Sequence, residues 1–159
     1  MEGQFEQTTV ASRETEDVVQ ELLCFEIGDH RYAIETSRVL AVVGTAPITR
    51  LPKAPIYVLG VFNHHGQVTA VFDLALFEGR ESTEHAPRML VVSGGVAMSA
   101  AVPVHQIVGI ASVLRSTFNE PLPHLRQRGY VRAQVRHEDK LYTLLDPAQL
   151  LDKASAGAV

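Results

Sequence analysis

The stretch YVLGVFNHHGQVTAVFDLALF, residues 57–77, lies without a gap over YVRAQVRHEDKLYTLLDPAQL, residues 130–150. Tyr57 meets Tyr130, Val58 meets Val131, His64 meets His137 and Asp73 meets Asp146. Apolar positions fall in register too: Val68 with Leu141, Val71 with Leu144, Phe72 with Leu145. Upstream, YAIETSRVLAVV (32–43) matches AAVPVHQIVGIA (100–111), again without a gap. Identities are few and amphipathic strands resemble one another by chance, but chance accounts less well for the matching order of all the elements. The chain therefore reads as two similar β-units of about five strands each. Units of that size do not hold a core alone, so they are expected to share an apolar seam.

Working outward, LLCFEIG (22–28) and RYAIE (31–35) flank a tight turn at Gly28 and Asp29. VLAVVG (39–44) is a short β-branched strand, and the prolines of PITRLPKAP (47–55) make a connection. VLGVFN and QVTAVF flank the His64–His65 turn. GREST, with Glu84 and Pro87, is a polar connection that puts the break between the units near 79–88. MLVVSGGVAMSAAV (89–102) reads as a hairpin with Gly94 and Gly95 at its tip, followed by the strand IVGIASVL (107–114). FNEPLPHLRQRG (118–129) is a loop, and YVRAQVR and KLYTLL are the last strands. Asp73 and Asp146 each end a strand before an apolar run, the placement of a helix N-cap, and Pro147 occupies a favoured first helical position. The folded span is expected over 20–152, after a disordered acidic tail (1–19) and before a C-terminal tail (153–159).

Composition narrows the function. No run approaches the roughly 18 apolar residues of a membrane helix, and MEGQFEQTTVASRETED has neither the basic start nor the apolar core of a signal peptide. One cysteine, Cys24 in LLCFEI, excludes an internal disulfide, suits a reducing cytoplasm and reads as a small core residue. Glu2, Glu6, Glu14, Glu16 and Asp17 against Arg13 account for the whole net charge of −4, leaving the rest balanced, which argues against nucleic acid. Phosphate loops, GxSxG, HExxH and CxxC are all absent from the sequence. Successive strand side chains diverge, so His64 and His65 read better as a solvated turn edge than as a metal site. Asp73 reads as a cap rather than a catalytic carboxylate. Exposed turns on a rigid β-scaffold are where binding residues gather. An adaptor fits this chain better than an enzyme, and no catalytic residue, cofactor or metal is assigned.

Three stretches carry a resemblance: LLCFEIGDHRYAIETSRVLAVV (22–43), LPKAPIYVLGVFNHHGQVTAVFDL (51–74) and YVRAQVRHEDKLYTLLDPAQLL (130–151). Their order resembles the CheW family of chemotaxis coupling proteins. The resemblance implies two intertwined five-stranded β-barrels with short helices after the strand-ending aspartates. It also implies a cytoplasmic, non-catalytic adaptor between methyl-accepting chemoreceptors and the regulatory domain of a CheA-type histidine kinase. Val39, Val42, Gly60, Asn63 and Gly66 stand at positions matching the family's partner surface. Val39 and Val42 equally suit a strand core, and Gly60 and Gly66 equally suit close backbone approach or positive φ. Two positions depart: His65 stands where the family usually has arginine, and Ala41 where it usually has glutamate. Loss of both charges fits a divergent pathway (pili, surface motility or development), or an ordinary array whose partners tolerate the change. From another class, a small-ligand or metal-binding domain would use the histidine turn. Arg132 and Arg136 share one strand face, available to an acidic partner or simply solvated.

Overall fold

The computed structural model describes residues 18–83, 85–96 and 98–156. The expected acidic tail thus lies outside the described residues except for Val18 and Val19. Among the described residues ten strands form: β1 Val19–Ile27, β2 His30–Glu35, β3 Val39–Gly44, β4 Val58–His64, β5 Gln67–Phe72, β6 Arg88–Gly95, β7 Met98–Val104, β8 Gln106–Leu114, β9 Val131–His137 and β10 Lys140–Leu145. Helix α1 (Leu74–Phe77) follows β5, α2 (Pro123–Arg126) precedes β9, and α3 (Pro147–Ala156) follows β10. Both aspartate caps are present: Leu76 N–H donates to Asp73 Oδ1 at 3.0 Å, and Ala148 N–H to Asp146 Oδ1 at 3.0 Å. Helix α3 runs to Ala156, beyond the expected boundary, because Leu150, Leu151 and Ala154 bury one face of it.

The first sheet has the order β8-β1-β2-β10-β9 and the second β3-β6-β7-β5-β4. Each half of the chain contributes a hairpin, a single strand and a second hairpin. The first hairpin of each half is given to the sheet of the other: β2 pairs β10 in parallel, and β7 pairs β5 in parallel. The polar connection at 79–88 therefore does not divide the sheets, and a cut there would remove strands from both. The duplication extends to the bulges. Val71 pairs Gly60 and Phe72 pairs Val58, while Leu144 pairs Ala133 and Leu145 pairs Val131, skipping one residue at the same aligned place.

Neither strand ladder closes into a complete barrel. Edge strand β4 of the second sheet is bridged at Val61 by Thr49 of the connection after β3, and edge strand β9 of the first at Gln134 by Asn119 of the connection after β8. Prolines limit pairing in both connections, since Pro47, Pro52 and Pro55 flank Thr49 and Pro121 follows Asn119. Each curled sheet holds its own core: Leu22, Cys24, Val135, Tyr142 and Leu144 in the first, Leu59, Phe62, Val71, Met89 and Val91 in the second. Between the sheets lies a larger seam that includes Phe25, Ile34, Phe72, Leu90, Val104 and Leu151. The hairpin of β6 and β7 turns beyond the glycine pair expected at its tip. Gly94 is instead buried in β6 against α3, where a Cβ would lie 2.8 Å from Leu151 Cδ1.

Candidate functional site

The β4–β5 turn is built by its own residues. His65 (φ 50°) and Gly66 (φ 84°) are both left-handed, as a two-residue hairpin turn requires, and histidine enters that region more readily than most residues. Asn63 Oδ1 accepts from Gly66 N–H at 2.7 Å and braces the turn. The second half repeats the conformation with Glu138 (φ 50°) and Asp139 (φ 63°) at the aligned positions. The His64 and His65 rings lie 4.4 Å apart between centroids, with His65 exposed. Among the described residues no three His, Cys, Asp or Glu side chains are grouped to hold a metal ion.

Strand β3 forms an edge of the same sheet, and a bulge between Val39 and Ala41 sets which way its side chains face. Val39 packs on the seam between the sheets, and Ala41 packs on the second sheet's own core. The outward residues are Leu40 and Val42, 58% and 45% exposed. Of the β3 candidates only Val42 is offered to solvent. Leu40, passed over in the sequence reading, stands beside it. Val68, 75% exposed on β5, adds apolar surface near the turn. Gly60 has a packing reason of its own: at φ 149°, a Cβ there would come within 2.3 Å of Thr49 O, so glycine permits the bridge to Val61. In the first sheet, Arg132 pairs with Glu35 at 2.6 Å, and Arg136 is exposed.

A charged cluster holds the crossing of the two halves and has no obvious signature in the sequence. The side chain of Glu78, just past α1, is 3% exposed and accepts from Tyr32 OH at 2.5 Å, Tyr130 OH at 2.6 Å, Arg80 Nη2 at 2.8 Å and Arg128 Nη1 at 2.5 Å. Burial works against the ionised carboxylate, but these donors outweigh it and hold Glu78 below its ordinary value. Burial and the Glu78 carboxylate push both tyrosine hydroxyls far above their usual range. The cluster joins β2 and the approach to β9 in the first sheet to a loop leaving the second.

The family described as CheW-like domain matches residues 21–155. The chain is similar to Protein FrzA of Myxococcus xanthus, 29% identical over 147 residues, covering 88% of this chain and 90% of that protein. It is also similar to the Probable chemotaxis protein CheW of Rhizobium etli, 23% identical, with coverage of 87% and 92%. Among solved structures, the scaffolding protein TtCheW of Thermoanaerobacter tengcongensis superposes with a TM-score of 0.70 at 18% identity, covering 80% of this chain and 89% of that one. The duplicated, strand-exchanged sheets and the family match over residues 21–155 together make this chain a member of the CheW-like domain family.

Proposed function

We propose that this protein is a non-catalytic adaptor of a bacterial chemosensory pathway, coupling chemoreceptors to the regulatory domain of a CheA-type histidine kinase or to their equivalents in a divergent pathway. The observation that carries the reading is edge strand β3, whose outward face presents Leu40 and Val42 instead of charge. An open edge with exposed aliphatic side chains is a liability unless a partner covers it. Val42, Asn63, His65 and Gly66 form the docking surface, with Leu40 added, while Val39, Ala41 and Gly60 support it from inside. Relatives titled chemotaxis protein CheW and scaffolding protein point the same way. Among the described residues no helix is long and apolar enough to cross a membrane, in keeping with an adaptor that works in the cytoplasm.

The His65 position separates an ordinary partner from a divergent one. An imidazole lacks the guanidinium fork, so a partner built for arginine loses a bidentate contact here. Calorimetric titration with the regulatory domain of a CheA-type kinase from the same genome, using the natural protein and His65→Arg, tests this. Micromolar binding by the natural protein supports ordinary coupling, and binding gained only by His65→Arg supports a redirected surface. Absence of binding to any kinase regulatory domain or receptor of that genome would refute the adaptor reading.

A further inference from the structure

We propose that the open cavity where the two halves cross is a binding site for a small oxyanion, a phosphoryl or carboxylate group. The cavity encloses about 390 Å³ and is walled by the β1–β2 turn, α1, residues 80–83 and the corner after β7. That volume suits a small ligand, for which pockets run from about 300 to 1,000 Å³.

Its walls bring together hydrogen-bond donors that the fold leaves unused. Arg80 lines the cavity, and both of its hydrogen bonds, to Glu78 and to Tyr32, leave from Nη2. Nε and Nη1 are spent on no other described residue. Gly28 N–H donates to His105 Nδ1 at 2.8 Å, which places the proton of the neutral ring on Nε2, a further donor. Thr83 lines the same wall, and its hydroxyl, buried without a partner, reaches an occupant only by turning toward the cavity. His30 completes the set, its ring 6.3 Å from that of Tyr32. A buried donor without an acceptor is costly, and one oxyanion accepts from several at once.

Glu78 is shared between Arg80 and Arg128, so one carboxylate faces two guanidiniums, while the buried Asp73 carboxylate behind the wall is held by Leu76 N–H, Thr83 N–H and Ser82 Oγ. Asp29 and Glu81 also line the opening, but both are exposed at the rim, where water screens them. Burial and then Arg80 hold His30 below its ordinary value, Arg128 adds to this, and Glu78 and Asp29 oppose it. An anion beside Arg80 offsets that repulsion, so binding draws a proton onto His30. Because the walls come from both halves, an occupant would tie the two sheets together. This inference is independent of the adaptor reading.

The test is imidazole NMR on the full chain with ¹⁵N-labelled histidine, titrating inorganic phosphate and, separately, acetate at constant ionic strength against chloride. The expected result is saturable shifts at His30 and His105 with His64 and His65 unmoved, and a His30 titration displaced to higher pH by the bound anion. Saturation by phosphate alone assigns a phosphoryl ligand, and by acetate alone a carboxylate. Arg80→Gln should weaken binding about ten-fold or more through loss of a charge-assisted donor. His105→Ala, at an exposed residue outside the Glu78 cluster, should weaken it too and keeps the test decisive if Arg80→Gln fails to fold. Shifts that never saturate, shifts equal at all histidines, or natural affinity in His105→Ala would overturn the proposal.

Discussion

Removing the Glu78 carboxylate probes the joint between the halves. Glu78→Ala leaves the hydroxyls of Tyr32 and Tyr130 without their acceptor, and each buried orphan costs about 1–3 kcal/mol. Arg128 is 39% exposed and re-solvates readily; Arg80, at 25%, does so less well. Against these losses, the variant no longer holds a carboxylate away from water, a penalty of several kcal/mol in its own right. Breaking one partner of a buried charged network nonetheless costs about 3–5 kcal/mol net, and we expect the lower half of that range because both arginines retain some water. For a chain of this length each kcal/mol lowers Tm by about 2–4 °C, so Glu78→Ala should melt about 6–16 °C below the natural protein. Glu78→Gln keeps an acceptor oxygen and should lose about half as much. The pH dependence follows from the depressed carboxylate. Its folded value lies below the unfolded 4.5, so its contribution is full above that value and fades as pH falls through the folded one. The gap between natural protein and Glu78→Gln should therefore be wide at neutral pH and narrow in acid. Urea denaturation at several pH values reads all of this. A loss below about 1 kcal/mol for Glu78→Ala, or a gap that widens in acid, would refute the reasoning.

Other expectations follow from single features. Gly60→Ala forces a Cβ into Thr49 O and breaks the two 2.8 Å bonds of the bridge, costing about 3 kcal/mol by denaturant titration, whereas Gly28→Ala meets open space and should cost less. Cys24 is 2% exposed and burial pushes its thiol up to about 11, so thiol reagents should label it only after unfolding, at a rate that denaturant accelerates. Fragments 18–83 and 85–156 each carry strands of both sheets, so neither alone should show a cooperative transition by circular dichroism, and mixing them should restore one.

How much of this was legible is best seen in particular residues. The ungapped overlay of 57–77 on 130–150 is reproduced in turn conformation, bulge position and helix caps, because each is a local demand on a few residues. The hairpin exchange was not legible from periodicity: β2 and β7 alternate in the same way whichever sheet receives them, and only long-range parallel pairing decides. Pairing of Tyr32 and Ala33 with β10 is such a choice. On β3, simple alternation would put Val39 and Ala41 on one face, but the bulge sends them to different cores. The outward role of Leu40 follows from the strand's alternation, yet the motif match drew attention to its neighbours instead. Gly94 and Gly95 looked like a turn because glycine pairs usually are one; space for Leu151 is a tertiary reason that no local pattern announces. Glu78, Arg80, Arg128 and their two tyrosines are scattered along the chain and meet only once the halves cross.

The most direct test of the adaptor account is amide hydrogen exchange on the full chain with and without a bound CheA-type regulatory domain. The account predicts added protection in residues 38–44 and 63–68, the β3 edge and the histidine turn. Protection confined to β9 and β10 in a complex that does form would contradict it.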